Sequence, residues 1–254
     1  MEKIRKPFQG VWNVVRFNWH FYILSFGLVL ILSILANNSN HSLQMVFSIL
    51  VVGIVGFTLI SLSVSCYIYD FSNLYKLNWL NIIKCSDHAK IVNINAGFDE
   101  TSILIKRKFP HSDLIVFDFY DPSKHTEISI KRARKAYPPY PNTQQISTNH
   151  LPLTDNSTEI VFAILSAHEI RNDHDRTNFF KELKRVLIPT GKIIVTEHLR
   201  DKFNFFAYTI GFFHFHSKYT WIRTFKEAGL CIEHEVKITP FIQTFILNKN
   251  GTPS

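Results

Sequence analysis

From Phe17 through Tyr69 the chain carries no Asp, Glu, Lys or Arg. A run this long without a charge suits a bilayer, where one ionised side chain at mid-depth costs about 3 kcal/mol on insertion scales. Two apolar segments fill it, Phe21–Ala36 and Leu43–Tyr69, joined by the polar but uncharged turn Asn37–Ser42. The second is long enough to span with tilt. The first reaches spanning length only when its aromatic flank is counted. Lys3, Arg5, Lys6 and Arg16 precede the hairpin, Lys76 and Lys84 follow it, and Trp12, Trp19 and Tyr22 sit at its edge. The positive-inside rule then places both termini, and everything after Tyr69, in the cytoplasm. The first segment also has the character of a signal sequence ending near Ala36, and on that alternative the second span still leaves the rest inside.

The remainder has a different texture. Apolar residues make up 46% of the chain, but after Tyr69 they alternate with turn signals and charges. Three scattered cysteines, Cys66, Cys85 and Cys231, offer neither a disulfide framework nor a CxxC metal motif. The net charge of +8 would suit an anionic membrane face or a nucleic acid. Its clusters, Lys106-Arg107-Lys108 and Lys131-Arg132 with Arg134-Lys135, fall on expected helices and read as solvated faces or as attraction to anionic lipid. No groove-reading module or stacking platform accompanies them, so no nucleic-acid partner is expected.

Asp70–Ser86 is an amphipathic connector that either caps the following domain or lies in the interface. Ile91–Asn93 reads as a short strand, Thr101–Lys108 as a helix and Asp113–Asp118 as a strand ending in an acid. Asp121-Pro122-Ser123 opens a helix expected to run through Lys135. Tyr137-Pro138-Pro139-Tyr140-Pro141 is extended, and Gln144–Ser147 is a possible third strand. Ile160–Leu165, bounded by turn residues, is a strand buried on both faces. Asn172 caps a helix whose Phe179, Phe180, Leu183, Val186 and Leu187 recur at helical spacing; Pro189 and Gly191 stop it before the strand Lys192–Glu197. A helix Trp221–Gly229 and two strands, Cys231–Ile238 and Phe241–Leu247, close the chain. Strand–helix–strand units of this kind make an α/β domain.

Leu151-Pro152-Leu153 with Asp155-Asn156-Ser157-Thr158-Glu159, and Arg185-Val186-Leu187-Ile188-Pro189-Thr190-Gly191, resemble the approach to the fourth strand and the turn into the fifth of class I methyltransferases (type 11/25-like). The resemblance covers about Ala89 to Lys249 and is weaker at its start. It implies a Rossmann-like sandwich with a mostly parallel seven-stranded sheet, S-adenosylmethionine (SAM) as cofactor, and an aromatic insert, here Phe203–Trp221, that covers the substrate. The implied organisation is a basic stretch 1–20, two membrane helices within 21–69, a connector 70–88 and a methyltransferase-like domain 89–249.

Family members carry an acid and Gly-x-Gly-x-Gly after the first strand, so that backbone approaches the methionine end of the cofactor. Here Asn93 stands for the acid, Asn95 and Asp99 replace the outer glycines, and Gly97 alone remains. Asn95 can make the turn by tolerating positive φ, and Asp99 or Glu100 could meet the cofactor's amino group. Asp118 ends the second strand about 20 residues after this turn, where such folds hold ribose hydroxyls. Thr148 and Asn149 fall where the family reads adenine. His168, after the fourth strand, is either a base for the acceptor or a structural histidine; Glu169 follows it. His214 and His216 alternate on one side of a possible strand and lack further ligands at useful spacing, so no metal is expected. The expectation is a membrane-anchored enzyme that methylates a small apolar or lipid-linked acceptor. The altered glycine turn motivates the alternative, a methyltransferase-fold scaffold or partner-binding protein that has lost its cofactor.

Overall fold

A computed structural model describes residues 5–124 and 127–249. Lys3, counted above among the flanking charges, lies outside them, as do His125 and Thr126. The charge-free stretch forms a hairpin of two helices, α2 (Trp19–Asn37) and α3 (His41–Cys66), preceded by a short α1 (Gln9–Phe17). Asn40 caps α3 by accepting the Leu43 amide at 3.1 Å. At 1.5 Å per residue, 19 and 26 residues give about 28 and 39 Å, close to or beyond a bilayer's hydrocarbon thickness. Most of their apolar side chains face outward, Leu24 at 67% exposure and Val52 at 71%. By length and composition both helices can cross a membrane.

A wider helical turn, Tyr67–Phe71, ends α3 and brings Asp70 onto the start of α1. Its two carboxylate oxygens accept the Gly10 and Val11 amides at 2.7 and 2.8 Å, satisfying donors that α1 leaves unpaired. Gly10 is required by the approach: a Cβ there would lie 2.3 Å from that of Tyr69. The connector then caps the domain. Leu74, Leu77 and Leu80 are buried, and the Trp79 indole donates to the Leu74 carbonyl at 3.0 Å.

Seven strands form one sheet in the order β3-β2-β1-β4-β5-β7-β6. They are β1 (Lys90–Asn95), β2 (Asp113–Asp118), β3 (Gln144–Gln145), β4 (Thr158–Ile164), β5 (Leu187–His198), β6 (Cys231–Thr239) and β7 (Ile242–Asn248). The first five are parallel, and β7 pairs antiparallel with both β5 and β6. Helices α4 (Ser102–Lys108), α5 (Ile128–Ala136), α6 (Asp173–Val186), α7 (Lys202–Tyr208) and α8 (Lys218–Glu227) complete the fold. β4 is buried on both faces, as its composition predicts. Val161 and Ala163 meet α6 and α8 residues such as Phe180 and Phe225, while Ile160, Phe162 and Ile164 pack in the cluster of Leu77, Leu80 and Ile105. The strand order reverses direction between β1 and β4, the place where open α/β sheets leave a crevice for ligands.

Several expectations shift. The helix expected from Asp121 begins at Ile128; Asp121 instead closes a local turn by accepting from the Ser123 amide and hydroxyl. β1 runs on to Asn95, so Asn95 is strand rather than turn. His214 and His216 do not share a strand, because Thr209–His214 is a 3-10 turn. Nor are the basic clusters merely solvated. Arg132 donates to the Phe17 carbonyl at 2.6 Å and covers Trp19, and Lys106 donates to the Ser112 carbonyl at 2.5 Å.

Phe180 is fully buried, with rings of Phe179, Trp221 and Phe225 around it. Phe180→Ala is expected to cost about 3–5 kcal/mol in denaturant unfolding. Phe206→Ser, on a side chain 64% exposed, is expected to change stability by less than about 0.5 kcal/mol.

Candidate active site and family

The parallel register sets the ends of β1, β2, β4 and β5 along one edge: Asn95 opposite Asp118, and Ile164 opposite Thr196. Two cavities open there. One, of about 800 Å³, lies over β2 and β3 and is lined by Tyr120, Arg134, Gln145, Ser147, Thr148 and Glu169, among others. The other, of about 1350 Å³, runs from between α2 and α3 to the end of β4. Glu169 borders both.

The glycine turn is built from substitutes. Asn95 closes it with its side chain, whose oxygen accepts the Gly97 amide at 3.0 Å while its nitrogen donates to the Phe117 carbonyl at 3.1 Å. Positive φ falls on Gly97 alone, at 96°; a Cβ there would come within 3.0 Å of Tyr120 and Arg134. Asn93 is buried and donates to the Thr101 and Ser102 hydroxyls at 2.9 and 2.8 Å, so it braces the start of α4. One oxygen of Asp99 accepts the Thr101 and Ser102 amides, both at 2.9 Å; the other is buried and has no hydrogen-bond partner among the described residues. Glu100 is taken up by Arg5, Asn13 and Tyr75 and is not left for a ligand.

Asp118 is buried. It accepts the Tyr120 amide at 2.8 Å and forms an ion pair with Arg134, whose guanidinium covers the Tyr120 ring at 4.5 Å. Thr148 lines the smaller cavity. Asn149 does not, and accepts from the Ser147 hydroxyl at 2.6 Å.

Leu165, at φ 52°, turns the chain sharply after β4 and carries Ala167–Glu169 over the sheet edge. Glu197, fully buried at the end of β5, takes the His168 backbone amide at 3.2 Å and its ring Nδ1 at 2.6 Å. The other ring nitrogen of His168 lies 3.2 Å from Glu169, and Glu169 lies 3.2 Å from Nε2 of His214. Burial opposes a charge on His168, but Glu197 and Glu169 outweigh it and raise its pKa. Burial likewise raises the Glu169 pKa, and the two histidines overcome it and hold the carboxyl well below its ordinary range. Sequence spacing gave no sign that His214 would join His168 and Glu169.

His198 behaves in the opposite way. Its Nδ1–H donates to Asn204 at 3.0 Å and its Nε2 accepts from the Tyr69 hydroxyl at 2.8 Å, which satisfies the neutral ring. Burial pushes its pKa down to about 3.

Residues 119–195 match the family described as Methyltransferase domain. The sheet domain has the class I methyltransferase fold. The matched segment begins just past Asp118 and leaves the altered glycine turn outside. Over 133 residues the chain is 27% identical to a ubiquinone/menaquinone biosynthesis C-methyltransferase of Geotalea daltonii, covering 52% of this chain and 54% of the relative. Over 110 residues it is 30% identical to a demethylmenaquinone methyltransferase of Thermotoga maritima, covering 43% and 44%. The chain thus spans about half the length of the curated relatives it matches. A SAM-dependent methyltransferase from Aquifex aeolicus has the same fold at a TM-score of 0.51, with 15% identity over 70% of this chain and 93% of that one.

SAM is the cofactor of such a domain, and the residues fit it. The smaller cavity falls within the roughly 300–1,000 Å³ of small-molecule sites. Asp118 ends β2 beside Arg134, which lines that cavity, and Asp99 on the glycine turn keeps a buried carboxylate oxygen without a partner among the described residues, a group suited to the cofactor's ammonium. Arg134, with a side chain 37% exposed, pairs with the acid in this structure.

Asp118→Ala is expected to weaken SAM binding about 10- to 100-fold by calorimetric titration, the worth of a charge-assisted hydrogen bond. His198 sets a pH dependence of known sign. A folded pKa depressed from about 6.5 to about 3 contributes stability above pH 6.5 that is lost as pH falls. Between pH 7 and 5, His198→Gln is expected to remove about 2 kcal/mol of that loss in denaturant unfolding.

Proposed function

We propose that the chain is a membrane-anchored, SAM-dependent methyltransferase whose acceptor is a small apolar molecule of quinone type, drawn from the bilayer. The observation that carries this reading is the larger cavity. Its walls include Phe21, Ile49, Gly53 and Phe57 from the two outward-facing apolar helices, and its far end holds His168, His198 and His214. An apolar molecule can therefore pass from between α2 and α3 to the sheet edge without crossing water. Anchoring adds a concentration effect, because enzyme and acceptor share the bilayer. Exposed Phe205, Phe206, Ile210 and Phe213 on α7 and the turn after it, beside α3, give the domain a face suited to the same apolar phase. The relatives' quinone chemistry supports the acceptor class, and the flanking Lys and Arg residues support a cytoplasmic domain.

SAM would supply an electrophilic methyl group to the acceptor. Asp118 and Thr148 would hold the nucleoside end, and Gly97 and Asp99 the methionine end. His168, anchored by Glu197 and bordering the acceptor cavity beside Glu169, would orient the acceptor. A second reading, a scaffold without cofactor, draws on Arg134, which occupies the carboxylate that a ribose would need.

Incubation of the detergent-purified protein with methyl-labelled SAM and an extract of bacterial membrane lipids and quinones decides between them. Label is expected in the apolar fraction, and less of it with Gly53→Phe, which fills the cavity wall. SAM binding without transfer to any apolar component would remove the acceptor reading, and absence of SAM binding would favour the scaffold.

A further inference from the structure

We propose that His168, Glu169 and His214 form a binding site for one divalent first-row transition-metal ion. The donor atoms of these three residues lie within 4.8 Å of one another, and each imidazole Nε2 stands 3.2 Å from the same Glu169 oxygen. An ion about 2.1 Å from each donor holds neighbouring donors about 3.0–3.4 Å apart, so two of the three edges already have their bound length. Only the two imidazoles, with ring centroids 5.0 Å apart, need to close slightly.

The surroundings are those of ligands rather than of surface histidines. Each ring presents Nε2 to the cluster because its Nδ1 is held by a carboxylate, Glu197 at 2.6 Å for His168 and Glu127 at 2.8 Å for His214. Carboxylates in this position fix the tautomer and raise the basicity of the coordinating nitrogen. Charge points the same way. With both imidazoles neutral, as ligands must be, Glu127, Glu169 and Glu197 bring three negative charges to the cluster, and Arg171, 4.0 Å from Glu127, offsets one of them, which leaves a surplus of two for a divalent ion to neutralise. Arg171 now leans on the His214 ring, against Nδ1 as well as 2.8 Å from Nε2, and also donates to the His214 carbonyl. Metal binding displaces the ring contact and leaves the carbonyl one.

Two histidines and one carboxylate select Mn, Fe, Co or Zn over Mg and Ca, and leave coordination positions open. All three residues line the larger cavity, so those positions are available to an oxygen of whatever enters it. The inference goes beyond the methyl-transfer reading, and its test uses no SAM.

Protein purified in detergent without chelator, then stripped and titrated with Co²⁺, is expected to take up about one equivalent. Visible absorption of nitrogen- and oxygen-ligated Co²⁺ should appear, and the melting temperature should rise. His214→Ala should abolish stoichiometric uptake. Glu127→Gln, which keeps all three ligands, should weaken it about 10- to 100-fold. Native-like, stripped protein that gains no melting stability from Mn²⁺, Co²⁺ or Zn²⁺ would overturn the site. So would His214→Ala protein that binds Co²⁺ as the parent does.

Discussion

A carboxylate stripped of water must be answered by charge or by hydrogen bonds, and Glu197 is such a group at the end of the interior strand β5. Both its oxygens are answered by one residue, His168, through the backbone amide and the ring. That double contact fixes the loop after β4, where Leu165 already forces a sharp turn. It therefore decides which way His168 and Glu169 point. Around them lie two cavities, one over β2 and β3 and one toward the apolar helices. Glu169 is the shared wall.

The apolar hairpin is bound into the domain rather than joined to it by a loose tether. Asp70 caps α1 with both oxygens, and Arg5 lies over Tyr75 while pairing with Glu100, the residue after Asp99 of the glycine turn. Tyr75 donates to the same carboxylate at 2.8 Å. A residue that the family resemblance offered to the cofactor thus serves to lock the N-terminal helix against the sheet edge. The Tyr69 hydroxyl adds a contact from the end of α3 to His198. These contacts run from the hairpin to the edge where both cavities meet.

Sequence patterning located most elements because it follows from local physics. Asp113–Asp118 was legible to the residue, since a short apolar run rich in β-formers between two acids defines a strand without outside help. Asn172 capped α6 where its side chain could accept an amide three residues on. The helix after Asp121 was misplaced because Asp-Pro-Ser is as good a turn as it is a helix start, and only the packing of α5 against α1 chose between them. Asn95 failed as a turn residue for a related reason. Its amide pairs across to β2, which holds it in the strand and passes the positive φ to Gly97.

By itself, the sequence determined the apolar hairpin and the α/β layering, because both are written in periodicity, charge and short-range turn chemistry, and the motifs of its second half carried the resemblance to the methyltransferases. Asp118 could be located for the same reason, at the end of a strand at fixed spacing from a glycine. Tertiary structure alone decided that Arg134 would occupy that acid, that Glu100 would bind the N-terminal segment, and that His214 would meet His168 and Glu169. Those side chains come from separate elements whose approach depends on sheet order and helix packing. Electrostatic partnership acts over a few ångströms of space, and distance along the chain carries almost no information about it.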